Sequence, residues 1–411
     1  MILSYPEAAA LLLHQAERLA AIRRHTRQLP LTRALGRVLA QSINADRDLP
    51  PFHRSTRDGY AVQAAALAAA AWLPVVGTRR AGEAVHAEPL ASGAALEIMT
   101  GAPVPAGADA VVMLEHVETG GHAIRRLPGH TLASGGNIVA AGSEARAGEV
   151  IVPAGTRLAP FHIAALAAVG AAQVRVFAPP RVAILATGDE LVPVETTPLP
   201  HQIRNSNSET LAAQVALAGG DPMPLGVVGD HLDDLRDRIA QARHTADLLL
   251  LSGGVSAGKY DLVEQALAEQ GAHFHFTGVR IQPGRPTVFG ELSPTGRRSS
   301  PLPFFGLPGN PVSTMVTFLL FAAPLLRALA GESHPQPRFA QATLAEAEAA
   351  TPLTRFLPAV LTSAWDGITV RRTPWQGSGD LAATARSNCF VILPPETPLA
   401  AGATVQILLP S

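Results

Sequence analysis

The 411-residue chain has one cysteine, Cys389, and one lysine, Lys259. A lone cysteine excludes an internal disulfide and any cysteine-built metal cluster, and points to an intracellular, cytoplasmic home. Arginine must therefore do almost all the cationic work. Charge is sparse, at 16% of residues, and the net charge is −1. That balance speaks against a general nucleic-acid binder. No basic region precedes the first apolar run in MILSYPEAAALLLHQAER, so a signal peptide is not expected. The longest apolar runs, near 64–78 and 311–326, contain proline and fall short of a membrane span. His273 and His275 share a strand face without a third ligand, a weak basis for zinc.

What is present centres on LLLLSGGVSAGKYD, residues 248–261. Four consecutive leucines read as a strand buried on both faces, as in a parallel sheet. Ser252, Gly253, Gly254, Ser256 and Gly258 follow, small residues that let backbone N–H groups approach a ligand. Asp261 is a candidate helix N-cap, with Glu264 completing a capping box before DLVEQALAEQ. Strand, glycine loop and helix N-terminus together suit an anion. The plain alternative is a tight turn with no ligand. Gly253–Lys259 also spells G-x-x-x-x-G-K, but Tyr260 stands where a nucleotide-binding loop needs Ser or Thr for magnesium.

A chain of this length should hold roughly two to four domains. Ser4 and Glu7 form a capping box that opens an amphipathic helix over 5–24, and helical pattern resumes at 31–39. DLPPFHRSTRDGYAV, 48–62, reads as an extended entry and an Asp58–Gly59 turn, with Arg54, Arg57 and Asp58 crowded together. ALEIMTGAPVPAGADAVVMLEHVE reads as two strands around a Pro/Gly loop in a small β domain. The Thr100 hydroxyl there suits a phosphate or a turn cap equally well. LAPFHIAALAAVG, 158–170, reads as a helix packing on the first one. From Pro179, strands alternate with helices, the mark of a doubly wound α/β domain whose ligands sit at strand carboxyl ends. Asp189, Glu190, Asp230, the 252–258 loop and Asp261 all fall at such ends. Carboxylates beside an anion-binding loop imply a bridging cation, magnesium above all. VRIQPGRP places Arg280, Gln282 and Arg285 around a Pro-Gly turn. LPGNPVS clamps a turn into a helix whose first turn offers Ser313 and free N–H groups. A terminal β domain begins near Gly331, in which QGSG, 376–379, either lines the site or turns the chain.

These motifs carry a resemblance. DLPPF, RSTRDGYAV, IMTGAPVPAGADAVVM, TGDEL, SNS, SGGVSAGKYD, QPGRP, GLPGNPVS and QGSG with ARSNCFVILP resemble the molybdopterin molybdenumtransferases, the MoeA proteins related to the gephyrin E domain. The match runs in family order over nearly the whole chain. It implies an α/β plus β fold in an elongated, four-part subunit. The parts are a helical, linking and dimerising part (1–45 plus 146–178), a small β domain (46–145), a doubly wound α/β molybdopterin-binding domain (179–330) and a C-terminal β domain (331–411). It implies a homodimer whose site is completed by the Asp58 and Thr100 region of the other subunit. The implied reaction inserts molybdate into adenylylated molybdopterin, releases AMP and needs Mg2+. The residues carried over are Asp58, Thr100, Glu190, Asp230 and Asp261, with Glu190, Asp230 and Asp261 as magnesium ligands. Ser252, Gly253, Gly254, Ser256, Gly258 and Pro308, Gly309, Asn310, Pro311 would cradle the pterin phosphate, while Arg285 and Ser313 would meet molybdate or the pyrophosphate. Molybdopterin adenylyltransferase and proteins that deliver to molybdoenzymes are implied partners.

The chain departs from the family pattern at Gln282 and Arg285, where two lysines are common, at Val139, at Glu144 and at Arg57. These changes leave molybdate against tungstate open. Two rival readings are a molybdopterin adenylyltransferase and a non-catalytic cofactor carrier or scaffold. Retention of Asp58, Thr100, Glu190, Asp230 and Asp261 favours the insertase.

Overall fold

Leu248, Leu249, Leu250 and Leu251 are each 0% exposed, and they alternate between two cores. Leu248 and Leu250 join one cluster and Leu249 and Leu251 another. That alternation fixes the architecture of the central domain in a computed structural model that describes residues 1–23, 25–84, 88–229, 231–254, 262–295 and 300–410.

The six-stranded central sheet runs in the order Asp221–Val228, Arg181–Thr187, Leu248–Ser252, Leu302–Leu307, Val288–Leu292, Ala272–Phe276. The first four strands are parallel, and Val288–Leu292 runs antiparallel to both its neighbours, Leu302–Leu307 and Ala272–Phe276. One face packs on the helices Tyr5–Ile22, Ser206–Leu217 and the helical run from Pro311 to Leu329, through Leu12, Leu211, Val316 and Leu326. The other packs on Leu232–Thr245 and Leu262–Glu269, through Leu235, Ile239, Val263 and Leu267. The Pro311–Leu329 run is long and apolar enough to cross a bilayer, but its apolar window is 94% buried inside this core. The strand order reverses beside Arg181–Thr187, which opens a crevice at the strand carboxyl ends.

The first helix begins where its capping box demands. Ser4 accepts from the Glu7 backbone at 3.5 Å and Glu7 accepts from the Ser4 backbone at 2.8 Å. The expected second helical stretch at 31–39 is instead a single 3-10 turn, Leu31–Arg33. Val38 and Leu39 bridge to Arg157 and Val176, so strand contacts outweigh local helical pattern. The Pro160–Ala168 helix exists, but it does not pack on the first helix as expected. Its Leu166 joins Ala34, Leu39, Val152, Leu158, Val174 and Val176 in a separate core. Two strand pairs, Thr26–Pro30 with Gln173–Phe177 and Ile43–Asn44 with Val150–Val152, close that unit.

The small β sheet orders its strands Ala110–Met113, Gly59–Val62, Ala95–Ile98, Leu73–Arg79, Ala123–Arg126, Val117–Gly120. Gly59 is not the second half of a tight turn. It opens a strand paired on both sides, and a Cβ there would lie 1.9 Å from the Val112 carbonyl oxygen. The C-terminal strands close into a barrel, because Thr354–Ala364 pairs with both Gly367–Arg372 and Cys389–Leu393 while Phe339–Leu344 and Thr404–Leu408 complete the ring. The two-residue strand Ile281–Gln282 adds to that barrel in parallel beside Thr354–Arg355.

Candidate functional site

A cleft of about 700 Å³ sits at the strand-order reversal. The ends of three parallel strands build its floor: Thr187–Gly188, Ser252–Gly253–Gly254 and Pro308–Gly309. These loops come close because their glycines permit it. Gly253 has φ +96°, and a Cβ on it would meet the Thr187 carbonyl at 2.5 Å. Gly254 has φ +66°, and a Cβ there would meet Val263 at 2.7 Å.

Asn207, in the first turn of Ser206–Leu217, ties the loops together. Its Nδ2 donates to Ser252 Oγ at 2.7 Å and to the Gly309 carbonyl at 2.8 Å. Among the described residues its Oδ1 is buried without a partner, as is the hydroxyl of Thr187, which is 4% exposed. Both residues line the cleft. Buried polar atoms are normally satisfied, so two orphans in one wall mark where a ligand belongs.

The adjacent carboxylates of Asp189 and Glu190 diverge. Glu190 folds over Gly188, where an added Cβ would meet its Oε2 at 2.4 Å, and lines the main cleft. Asp189 lies against Gly229 and lines a neighbouring cleft of about 520 Å³ with Glu195 and Glu209. The two cavities share Gly188, Leu191 and Asn205 as a partition.

The barrel also reaches this site. Asn310 Nδ2 donates to Ser378 Oγ at 2.9 Å, the Val312 N–H donates to the Ser378 carbonyl at 3.0 Å, and Gly379 lines the cleft. The QGSG segment therefore belongs to the cleft wall. It also occupies one N–H that the sequence left free at the start of the Pro311 helix.

Of the residues expected from sequence, the cleft gathers Glu190, Ser252, Gly253, Gly254, Pro308, Gly309, Asn310 and Pro311. Asp230, Ser256, Gly258 and Asp261 lie outside the described residues. Among the described residues no three His, Cys, Asp or Glu side chains meet as a metal cluster. Arg285 is exposed beside Pro286, which lines the cleft. Ser313 requires correction: at 4% exposure it is packed into the helix and core and does not line the cleft. Asp58 and Thr100 are together but elsewhere. The Asp58 carboxylate accepts from the Thr100 N–H and hydroxyl, both at 2.7 Å, in an exposed turn of the small β domain. Those bonds, the backbone one foremost, hold the Asp58 carboxyl below its usual range.

Sequence reasoning missed Thr187, Arg204 and Asn207. Arg204 is the one cation among the described lining residues, with its Nε on the Thr196 carbonyl at 3.1 Å. The polar run RNSNS, 204–208, was the available signal.

Comparison with known proteins follows the same layout. Residues 3–170 match the family described as "MoeA N-terminal region (domain I and II)". Residues 183–328 match "Probable molybdopterin binding domain", and 341–409 match "MoeA C-terminal region (domain IV)". A molybdopterin molybdenumtransferase of Bacillus subtilis is 35% identical over 394 residues, covering 93% of this chain and 90% of that protein. One of Haemophilus influenzae is 33% identical, covering 93% of both. The crystal structure of a molybdopterin biosynthesis moeA protein from Pyrococcus horikoshii OT3 superposes with a TM-score of 0.79 at 29% identity, covering 100% of each chain.

Proposed function

Because this chain belongs to the molybdopterin molybdenumtransferase (MoeA) family and inserts molybdenum in molybdenum cofactor biosynthesis, we propose that its cleft at the strand-order reversal binds adenylylated molybdopterin. The observation that carries this reading is the pair of orphaned polar atoms, Thr187 Oγ1 and Asn207 Oδ1, in the wall of a glycine-floored cleft. A phosphorylated pterin brings both donors and acceptors to such a wall.

The residues divide the work by chemistry. The Ser252–Gly254 and Pro308–Pro311 loops offer small side chains and close backbone approach to phosphate. Arg204 supplies positive charge at the rim, and Arg285 flanks the same edge through Pro286. Glu190, Asn207 and Thr187 present hard oxygen atoms, the donor type magnesium takes. Asp230 and Asp261 are the remaining members of the proposed magnesium set. A bound magnesium ion would offset the charge of the phosphoanhydride, and Glu190 would position water beside it. Molybdate is the second substrate.

The acting unit is proposed to be a homodimer. Asp58 and Thr100 form an exposed, preorganised acidic turn outside their own chain's cleft lining. Supplied by the partner subunit, this turn would face the reacting end of the substrate.

The deciding experiment measures AMP release from adenylylated molybdopterin with magnesium, with and without molybdate. Molybdate-dependent release together with metal-loaded pterin is the expected result. Tight pterin binding with no AMP release under either condition would replace the insertase with a carrier.

A further inference from the structure

The small β domain holds a cavity of about 630 Å³ of its own, lined by Val76, Arg79, Glu88, Leu90, Leu96 and Pro105 among others. Arg79 is 6% exposed, and among the described residues its Nη1 is buried without a hydrogen-bond partner. Among the described residues its guanidinium makes no ion pair, and Glu88 on the cavity wall does not reach it. A guanidinium cannot shed its proton to escape burial. Burying it unpaired is costly, so the fold holds open a place for negative charge.

The backbone aims Arg79 there deliberately. Val76 and Arg79 are three residues apart on one strand, so regular pleating would send them to opposite faces. The register between Leu73–Arg79 and Ala95–Ile98 is irregular between Val75 and Thr78. That irregularity brings both side chains to one cavity. Val76, Leu90, Leu96 and Pro105 supply apolar wall beside the polar Arg79 and Glu88.

We propose that this cavity binds a small organic acid, with its carboxylate on Arg79 and its apolar body against Val76, Leu90, Leu96 and Pro105. A planar carboxylate matches the guanidinium fork, two parallel bonds at once. A tetrahedral dianion fits worse, because it needs donors from several sides and would lie close to Glu88. The site is independent of the molybdopterin cleft. Its nearest tie to the Asp58–Thr100 turn is the Arg79 carbonyl, which accepts from the Met99 N–H at 3.0 Å.

The test uses the full chain, with sodium octanoate as probe and sodium phosphate and sodium chloride as comparison salts. Octanoate is expected to raise the melting temperature in a concentration-dependent way, as any ligand of the native state does. Arg79→Leu should weaken octanoate binding at least tenfold while melting no lower than the parent when unliganded. Val76→Glu, at a 61% exposed position, should weaken octanoate binding without changing the unliganded melt. This second variant decides the matter if Arg79→Leu does not fold. No octanoate shift, or an equal shift in the variants, would overturn the site. A phosphate shift as large as that of octanoate would overturn the carboxylate assignment.

Discussion

Among the described residues the Asp58 carboxylate takes both of its hydrogen bonds from Thr100, through the backbone N–H and the hydroxyl at 2.7 Å each. The carboxylate is thereby oriented and kept ionised before any substrate arrives. Preorganisation of this kind places charge without reorganisation at the moment of reaction.

Thr100→Val removes the hydroxyl bond and spares the backbone one. The Asp58 carboxyl should then titrate higher than in the parent but still below its ordinary value, because the backbone bond is the larger cause. NMR titration of the Asp58 side chain reads this directly. The sign follows from linkage. A depressed carboxyl contributes stability above its unfolded value of about 4 and loses it as pH falls through the lower folded value. An ordinary midpoint in the parent would discard the preorganised turn.

Asn207→Ala cuts the ties to Ser252 and Gly309 and leaves the Gly309 carbonyl without that donor. The stability cost should be about 1–3 kcal/mol. The larger effect should fall on pterin affinity, since the loops lose their relative positions. Calorimetric binding alongside a urea melt separates the two; a melt change with unaltered affinity would remove Asn207 from the site.

Gly253→Ala forces a side chain into a left-handed backbone and against the Thr187 carbonyl. The backbone strain alone should cost about 1–3 kcal/mol. Both the melting temperature and pterin binding should fall. Retained binding at a lowered melt would show that the floor of the cleft tolerates rearrangement.

Glu291 is 7% exposed and holds His275 at 2.8 Å together with Arg18. Burial pushes its carboxyl up, but the hydrogen bonds from His275 and Arg18, with their charges, outweigh that and leave it below the usual range. Its contribution is therefore present above about pH 4.3 and lost as pH falls through the lower folded value. Glu291→Gln should flatten the acid limb of the stability profile. Urea midpoints between about pH 3 and 6 measure it, and parallel profiles would refute the assignment.

Cys389 is 2% exposed, and burial pushes its thiol up to about 11. A thiol of that kind is inert while the barrel is closed. Reaction with a thiol reagent should therefore track unfolding. Rapid labelling of the native chain would contradict the buried placement.

The parts of the fold that local chemistry determines were legible in the sequence. Ser4 and Glu7 marked a helix start within four residues, and the leucines of 248–251 marked a strand covered on both faces. The stretch 31–39 misled because Val38 and Leu39 are claimed by Arg157 and Val176, far along the chain. The cleft was legible as strand ends and glycine loops. Its wiring was not, since Asn207 meets partners 45 and 102 positions away and Asn310 meets one 68 away. No local period records such pairings. Ser313 was misplaced for a related reason: its sequence neighbours lie at the cleft, but helix rotation turns it into the core.

The clasp between Ile281–Gln282 and the barrel strand Thr354–Ala364 ties the last domain to the connection between the central-sheet strands Ala272–Phe276 and Val288–Leu292. Residues 331–411 cannot be trimmed as an appendage. Their removal would strip the Ile281–Gln282 edge of its partner, unmoor the turn that carries Arg285, and take Ser378 from Asn310 and Val312. A truncated chain would lose one jaw of the cleft and, with it, Phe356, Phe390 and Leu408 from the core under the central sheet. Any exchange of barrels between relatives would have to carry this seam along, because the central domain and the barrel were tailored as one garment.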